Sequence, residues 1–256
     1  MKSNFYFIGN FSNIYKKPSS KSEVTSQIIY GEKFKILSKN KNWIKIKISF
    51  DNYKGFIRNS KYIEKFSPNY KISSLKAKIF TKPGAGTNSW LPLASKLSVI
   101  EQKSNYVKIE KNKWVKKKDI KKLNHKDKNF IKIFKRFLNV KYIWGGKTFR
   151  GIDCSALLQI FFFYNNSFYP RDTKDQIKYT KKNSKKRKFK KGDIIFWKGH
   201  VAMCLNSKKL IHAYGPEKKV IIMPIIETIN RIQKTAKLKV KKISRININF
   251  FQSQAY

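Results

Sequence analysis

The chain has 256 residues, of which 41% are hydrophobic and 15% aromatic, so it is long enough for two or three domains with cores of their own. Its 59 lysines and arginines exceed its 14 acidic residues by 45, a charge that favours anionic partners, although the lysines are spread along the whole chain. Two cysteines are too few for a disulfide framework, which indicates a reducing compartment.

Targeting and membrane segments are not expected. No apolar run approaches the ~18 residues of a membrane span, and residues 1–17 lack the ~7–15-residue apolar region of a signal peptide. We therefore expect a soluble, cytoplasmic protein. Its lysines are either a compositional habit of the chain or a device for electrostatic attraction, and the sequence leaves both readings open.

The first half of the chain contains an internal repeat of roughly sixty-odd residues, about the size of a small domain. The segment "NIYKKPSSKS" at 13–22 aligns with "KIFTKPGAGT" at 78–87. Two further pairs of segments align in the same order, 34–48 with 97–110 and 54–63 with 112–120. Both copies are therefore predicted to fold in the same way.

Each copy has the pattern of short strands. The stretch "WIKIKI", which begins at Trp43, and the stretch "YVKIE", which begins at Tyr106, alternate apolar with charged residues, as half-buried strands do. Trp43 and Tyr106 hold the same place in the repeat. We predict two small β-barrels, residues 1–66 and 70–123; one larger β-domain is the alternative.

The pattern changes after residue 125, where helical spacing replaces alternation. The segment "DKNFIKIFKRFLNV" (Asp127–Val140) predicts a helix, with Asp127 as its N-cap. The segment "IDCSALLQIFFFYNN" (Ile152–Asn166) predicts a second helix, capped by Asp153. This helix is apolar almost all round, so we expect it to be buried in the middle of a domain.

Strands and a last helix follow. Strands are predicted within 192–206, 209–214 and 219–225, a helix over 226–235, and a basic strand or tail over 238–248. A helix packed on an antiparallel sheet is an α+β layout, and residues 125–256 are predicted to form one domain of this class.

Cys154 begins the predicted buried helix. A helix N-terminus carries a partial positive charge and free N–H groups, which favour a thiolate and can hold an oxyanion. We therefore expect a lowered pKa for the Cys154 thiol and a nucleophilic role. The alternative is a buried structural cysteine, an interpretation that suits Cys204 better because "VAMCL" gives it no partner.

Two of the three histidines are candidates for the base. His125 lies in a lysine-rich connector and is interpreted as a surface residue. His200 begins "HVAMCL", and His212 lies in "LIHAY" on the next predicted strand. If these strands pair as a hairpin, the two imidazoles lie side by side and face the start of the helix. The pattern predicts a Cys–His–His relay, with His200 as general base and His212 fixing its tautomer.

The second half of the chain resembles the NlpC-type papain-like cysteine peptidases, which cut bacterial cell-wall peptides. The segments that carry the resemblance are "YIWGG", "GIDCSAL", "YPRDTKDQ", "GDIIFWKGHVA" and "IHA", within about residues 125–235. The repeated segments resemble the tandem bacterial SH3-like barrels that precede this domain in cytosolic members. The implied fold is α+β, a papain-like cysteine peptidase domain preceded by two small SH3-like β-barrels.

The resemblance implies roles for individual residues. Cys154 is implied to be the nucleophile, His200 the base and His212 the third member. The Tyr142 hydroxyl is implied to help the Cys154 N–H bind the oxyanion.

The same resemblance implies a binding site for a short peptide. Asp153, Ser155 and, in the first barrel, Tyr53 match positions that contact the free N-terminal amine of the substrate. Asp153 is equally suited to be a plain helix cap.

These features predict a cytosolic cysteine endopeptidase that hydrolyses the γ-D-glutamyl–diamino acid bond of murein peptides of the L-Ala-γ-D-Glu-diaminopimelate type. Two alternatives stay open: an exported hydrolase of intact peptidoglycan, and a non-enzymatic, basic polyanion-binding protein. No metal-ligand spacing and no phosphate-binding glycine loop is present, so no cofactor and no metal are expected. A murein peptide is the expected partner, and no specific nucleic acid is expected.

Overall fold

The computed structural model describes residues 4–180 and 188–246. The chain divides into two units, Met1–His125 and Lys126–Tyr256. Strands dominate both units, and the four α-helices found among the described residues all lie in the second. Across that same part of the chain, no helix is long and apolar enough to cross a membrane.

The first barrel is one antiparallel sheet of seven strands in the order β3-β2-β6-β5-β4-β1-β7. Its strands are β1 (Asn4–Phe7), β2 (Phe11–Tyr15), β3 (Val24–Ile29), β4 (Lys33–Lys39), β5 (Trp43–Ile48), β6 (Lys54–Arg58) and β7 (Tyr62–Ile63). The predicted alternation is observed in β5, where Ile44, Ile46 and Ile48 are buried in the barrel core and Lys45 is exposed.

The second barrel repeats much of this arrangement but is divided into a five-stranded sheet and a three-stranded sheet. Its strands are β8 (Tyr70–Ile72), β9 (Lys76–Lys82), β10 (Ala85–Pro92), β11 (Lys96–Leu97), β12 (Glu101–Lys103), β13 (Tyr106–Glu110), β14 (Lys113–Lys116) and, after a 3-10 turn at Lys117–Asp119, β15 (Ile120–Lys122). The order β10-β9-β14-β13-β12 matches β3-β2-β6-β5-β4 strand for strand, and the three-stranded sheet has the order β11-β8-β15. Trp43 and Tyr106 both begin the equivalent strand, as the repeat predicts.

Each barrel has its own hydrophobic core, and Tyr30 links the two. The Tyr30 ring is buried in the core of the second barrel, among Leu97, Val107 and Val115. Its hydroxyl donates a 2.5 Å hydrogen bond to Glu110 Oε1. Burial and this carboxylate together raise the pKa of Tyr30.

The second unit is an α+β domain. Its elements are α1 (Phe130–Lys135), β16 (Lys147–Thr148), β17 (Gly151–Ile152), α2 (Cys154–Tyr164), α3 (Thr173–Tyr179), β18 (Asp193–Trp197), β19 (His200–Cys204), β20 (Lys209–Tyr214), β21 (Lys219–Pro224), α4 (Ile225–Ala236) and β22 (Lys242–Arg245). The sheet order is β21-β20-β19-β18-β22, antiparallel throughout, and α2 packs on β19 and β20. The predicted α+β fold is confirmed.

The prediction for the first helix of this unit was wrong in its length and its cap. The N-cap is Asn129, whose side chain accepts the Lys132 N–H, whereas the Asp127 carboxylate accepts the Asn129 N–H. The helix ends at Lys135, and Asn139 then adopts φ +64°. Local side-chain hydrogen bonds of Asp127 and Asn129 therefore decide where the helix begins, in place of the helical spacing of the apolar residues. The predicted basic strand is observed at β22, while residues 247 and 248 lie outside the described range.

A row of lysines crosses the outer face of the first barrel. Lys47 in β5 lies directly opposite Lys35 in β4 and Lys54 in β6. Like charges in directly opposite positions of an antiparallel sheet are destabilising. In the second barrel, by contrast, Lys108 and Lys113 each form an ion pair with a glutamate. The lysine row therefore weakens the first barrel.

Replacement of Lys47 by Glu is expected to stabilise the first barrel by roughly 0.5–1 kcal/mol, because two like-charge pairs become two opposite-charge pairs. Hydrogen exchange of the Ile46 and Ile57 amides in the full chain would measure this, and the gain should shrink at high salt. Lys103→Glu is the control, since it makes the same change in net charge opposite Tyr106. Equal protection in both variants would contradict the prediction.

Candidate active site

Asp153 determines where α2 begins and thereby places Cys154. Asp153 is the N-cap, with extended backbone, and its Oδ1 accepts the Ala156 N–H at 2.7 Å. The predicted cap is thus confirmed. Every residue of α2 is buried, as the apolar sequence predicts, and Cys154 is the first residue of the helix. The Cys154 thiol contacts the carbonyl oxygen of Gly199 at 3.9 Å, in the turn before β19.

The two predicted histidines lie side by side. Strands β19 and β20 pair as an antiparallel hairpin, and His200 Nε2 lies 3.0 Å from His212 Nδ1. The ring of Trp197 packs against His200, and the ring of Tyr214 stacks on His212 with a centroid distance of 4.6 Å. Aromatic contacts and the sheet register therefore hold both imidazoles in place.

The start of α2 packs against the strands that carry the two histidines. A cavity of about 10 Å³ between these elements is lined by Cys154 and His212, together with apolar residues of α1, α2 and the sheet, among them Val201 and Met203. Since Gly199 precedes His200, its contact with the Cys154 thiol also places the nucleophile at the start of β19. The structure thus places Cys154 beside the residue that precedes His200 and in a cavity that His212 also lines.

The expected lowering of the Cys154 pKa was wrong in direction. Burial, with a smaller contribution from the Asp153 charge, raises the pKa of the Cys154 thiol to about 12. Burial also lowers the pKa of His200 to about 4. Loss of solvation therefore outweighs the helix N-terminus, and both groups are neutral at rest. A neutral thiol attacks only if a base takes its proton, and His200 as that base stays a prediction.

A buried ion pair surrounds the start of α2. Arg171 donates from Nη2 to Asp153 Oδ2 at 2.7 Å and from Nη1 to Asp153 Oδ1 at 3.0 Å. The Ser155 hydroxyl donates to Asp153 Oδ1 and accepts from Arg171 Nη1, and the Gly145 N–H donates to Asp153 Oδ2. A substrate ammonium would have to share this carboxylate with Arg171, and the predicted substrate contacts of Asp153 and Ser155 stay predictions.

Gln176 is a site residue to which the sequence assigned no role, and Arg171, which the sequence suggested as the ion-pair partner of its neighbour Asp172, pairs with Asp153 instead. Gln176 is fully buried, and its Nε2 donates to the carbonyl oxygens of Ser155 and Pro170 at 2.9 Å, which ties α3 to the first turn of α2. Both residues lie in the segment "YPRDTKDQ". The available signal was an arginine and an amide in a short segment of a chain whose cations are almost all lysine.

Tyr142 lies beside the nucleophile. Its backbone forms a parallel bridge with Ile152, two residues before Cys154. Burial, with smaller contributions from Cys154 and Asp153, raises the pKa of the Tyr142 hydroxyl. The phenol therefore keeps its proton at neutral pH and can donate it to an oxyanion. Its role in the oxyanion site stays a prediction.

The remaining residues that the sequence singled out lie elsewhere in the chain. Tyr53 belongs to the first unit, where its hydroxyl donates to the Thr25 carbonyl oxygen at 3.3 Å, and its substrate contact stays a prediction. Cys204 is fully buried in the sheet, and His125 is exposed, as expected. No group of three or more His, Cys, Asp or Glu among residues 4–180 and 188–246 is placed to hold a metal ion.

Comparison with known proteins gives matches for both halves. Residues 139–239 match the model described as the NlpC/P60 family, and residues 10–64 match that of a bacterial SH3 domain. The chain is 24% identical to the gamma-D-glutamyl-L-lysine dipeptidyl-peptidase of Bacillus subtilis (strain 168), over 80% of this chain and 77% of that relative. It is 21% identical to dipeptidyl-peptidase 6 of Lysinibacillus sphaericus, over 82% of this chain and 87% of that relative.

A solved structure supports the same fold. The crystal structure of an NlpC/P60 family protein from Bacillus cereus ATCC 10987 matches with a TM-score of 0.80 and 17% sequence identity, and covers 95% of this chain and 99% of that one. At this level of identity the match confirms the fold, including the strand-rich N-terminal half.

Removal of Arg171 should be costly. Arg171→Leu leaves the buried Asp153 carboxylate unpaired, and we expect a loss of ~3–5 kcal/mol in the free energy of unfolding. Arg171→Lys keeps the charge and should lose less. Arg231→Leu breaks the partly exposed pair with Glu217 and should cost under ~1 kcal/mol. Urea unfolding followed by circular dichroism measures all three; equal losses for Arg171→Leu and Arg231→Leu would contradict the buried pair.

Stability should fall in mild acid. The pKa of His200 is lowered to about 4 in the fold, against ~6.5 in the unfolded chain. Between these values the unfolded chain binds more protons, so the free energy of unfolding decreases as the pH drops. His200→Gln should flatten this dependence in urea unfolding series from about pH 7 to about pH 4, with His125→Gln as the control for losing a histidine. An unchanged slope in His200→Gln would disprove the assignment.

Proposed function

Because residues 139–239 form an NlpC/P60 domain and residues 10–64 a bacterial SH3 domain, the protein is a cysteine peptidase of the NlpC/P60 type, and we propose that it hydrolyses the γ-D-glutamyl–diamino acid bond of murein-derived peptides. The observation that carries this proposal is the constellation itself: a thiol on the first residue of a buried helix, in contact with the residue before His200, whose imidazole lies 3.0 Å from that of His212. The identity of the cleaved bond is inferred from a relative's name, gamma-D-glutamyl-L-lysine dipeptidyl-peptidase.

The neutral thiol–imidazole pair fixes the order of the chemical steps. The Cys154 sulfur attacks the γ-carbonyl carbon while its proton passes to His200. The Cys154 N–H, at the start of the helix, and the Tyr142 hydroxyl donate to the oxyanion. Collapse of this intermediate breaks the C–N bond, and the proton held by His200 moves to the leaving amine. Water then attacks the thioester, gives a proton to His200, and the thiol is restored.

We propose that the peptide carries a free N-terminal amine. The two relatives that match most of this chain are both named dipeptidyl-peptidases, a name that describes release of two residues from a free end. Asp153 is the carboxylate nearest to the nucleophile in sequence, although Arg171 already binds it. The basic chain, with a net charge of +45, would also attract the carboxylates of γ-D-Glu and of a diamino acid such as diaminopimelate.

We further propose that the enzyme acts on soluble peptides in the cytoplasm, in murein recycling. Cys154 and Cys204 are both buried and free of disulfides, which suits a reducing compartment. Fractionation of cells that produce the tagged protein, against cytoplasmic and envelope marker enzymes, tests this location. Recovery with the envelope markers would favour the exported wall hydrolase instead.

The substrate proposal is tested with four peptides. L-Ala-γ-D-Glu-meso-diaminopimelate and L-Ala-γ-D-Glu-L-Lys are incubated with the enzyme, each beside an N-acetylated copy, and the products are identified by mass spectrometry. We expect cleavage of the free-amine peptides only, because a neutral amide cannot pair with a carboxylate. Cys154→Ala should abolish turnover, whereas Cys204→Ala, which removes the other buried thiol, should retain it.

Two results would contradict parts of the proposal. Equal cleavage of the acetylated copies would remove the claim of amine recognition and favour intact peptidoglycan as the substrate. Cleavage by Cys154→Ala at the wild-type rate would rule out Cys154 as the nucleophile.

A further inference from the structure

Met223 contacts the outer nitrogen of the second histidine. The Met223 sulfur, Sδ, lies 3.4 Å from His212 Nε2, and both side chains are buried in the sheet. Strands β20 and β21 pair with Leu210 opposite Met223 and His212 opposite Ile221, so Met223 and His212 are diagonal neighbours on one face. This contact involves neither the nucleophile nor the predicted substrate residues.

The sulfur of a thioether accepts hydrogen bonds but has no proton to donate. The contact is therefore favourable only when His212 carries its proton on Nε2. A neutral imidazole has a single N–H, so Nδ1 of His212 must then present a lone pair. That lone pair faces His200 Nε2 at 3.0 Å and requires the proton of His200 to lie on Nε2. His200 Nδ1 is left with a lone pair, which is what a base for the Cys154 thiol needs.

The opposite arrangement of protons would disable the site. With its proton on Nδ1, His212 would donate to His200 Nε2, and the proton of His200 would lie on Nδ1, on the side left for the thiol. His212 Nε2 would then direct a lone pair at the Met223 sulfur, which has no proton to offer. Each buried polar atom needs a hydrogen-bond partner, so this arrangement is disfavoured because His212 Nε2 would have none.

The relay also requires His212 to stay neutral. Burial lowers the pKa of His212 well below its usual value, and the charges of His200 and Arg231 act in the same direction. Arg231 lies over the Tyr214 ring at 5.7 Å, and Tyr214 stacks on His212. Glu217 pairs with Arg231 at 2.7 Å and partly offsets its charge. The groups that face His212 therefore oppose a second proton.

We infer that Met223 is a positioning residue of this peptidase: its thioether accepts the His212 Nε2–H and thereby sets the tautomers of both histidines, which leaves His200 Nδ1 free to take the Cys154 proton. The inference rests on the proposed function only in giving His200 the role of base. The tautomers themselves can be measured without turnover.

The test compares Met223→Leu, which keeps the volume and removes the acceptor, with Met223→Gln, whose carbonyl oxygen can accept again. Ile232→Leu, in the same hydrophobic cluster as Met223 but outside the cavity that Cys154 lines, is the matched control. We expect ¹⁵N–¹H correlation spectra to show Nε2–H at both histidines in the native enzyme and in Ile232→Leu. Met223→Leu should show a mixture of tautomers and a fall of ~10-fold in kcat/KM, which Met223→Gln should partly restore.

The rate of Cys154 alkylation by iodoacetamide gives a second readout that needs no peptide substrate. It should fall in Met223→Leu, because fewer molecules have a free His200 Nδ1, and stay at the native value in Ile232→Leu. A native spectrum with the proton on His212 Nδ1 would overturn the inference, as would native tautomers and an unchanged alkylation rate in Met223→Leu. If no murein peptide is cleaved but the tautomers and alkylation respond as expected, the inference stands and the proposed substrate fails.

Discussion

The Asp153 carboxylate accepts the Ala156 N–H that starts α2 and is held on both oxygens by the Arg171 guanidinium. The position of the nucleophile depends on this interaction. The cap fixes Cys154 as the first helical residue, and the ion pair keeps the capping carboxylate charged in a buried setting. Ser155 and Gln176 extend the same network to α3. The first turn of α2 is therefore held by its own cap, by Arg171 and by Gln176 of α3 before any substrate binds.

Burial then decides the electrostatic state of the site. The same loss of solvation that raises the pKa of Cys154 lowers the pKa of His200. The thiol and the imidazole are therefore both uncharged in the resting enzyme. A neutral relay depends on where its protons lie. The contact between His212 and Met223 is consequently more than packing. The Met223 sulfur is the acceptor at one end of the series of hydrogen bonds through the two histidines, and it selects one of their two tautomer arrangements.

The composition of the chain makes its arginines informative. Only seven of the 59 basic residues are arginine. Three of these, Arg171, Arg231 and Arg245, form ion pairs with a carboxylate in the second unit. The planar guanidinium can bind a carboxylate through two parallel hydrogen bonds, which an ammonium cannot do. Lysines elsewhere in the chain lie directly opposite one another, as Lys35, Lys47 and Lys54 do.

The sequence by itself determined the elements whose signals are local. Alternation located β5 and β13, the repeat predicted that the two copies fold in the same way, and Asp153 before an apolar run located α2 and its cap. Local signals also failed where two of them competed, as at Asp127 and Asn129, where side-chain hydrogen bonds moved the start of α1 to Phe130. The pairing of His200 with His212 was predictable because both lie on adjacent strands of one hairpin.

Only the tertiary structure decided the chemistry of these residues. The direction of the Cys154 pKa depends on how completely α2 is covered, which no spacing in the sequence reveals. Arg171 meets Asp153, and Met223 meets His212, through strand and helix packing between residues that are not neighbours in sequence. Burial and side-chain partners are properties of the packed fold, and they fix both the charge and the protons of the site.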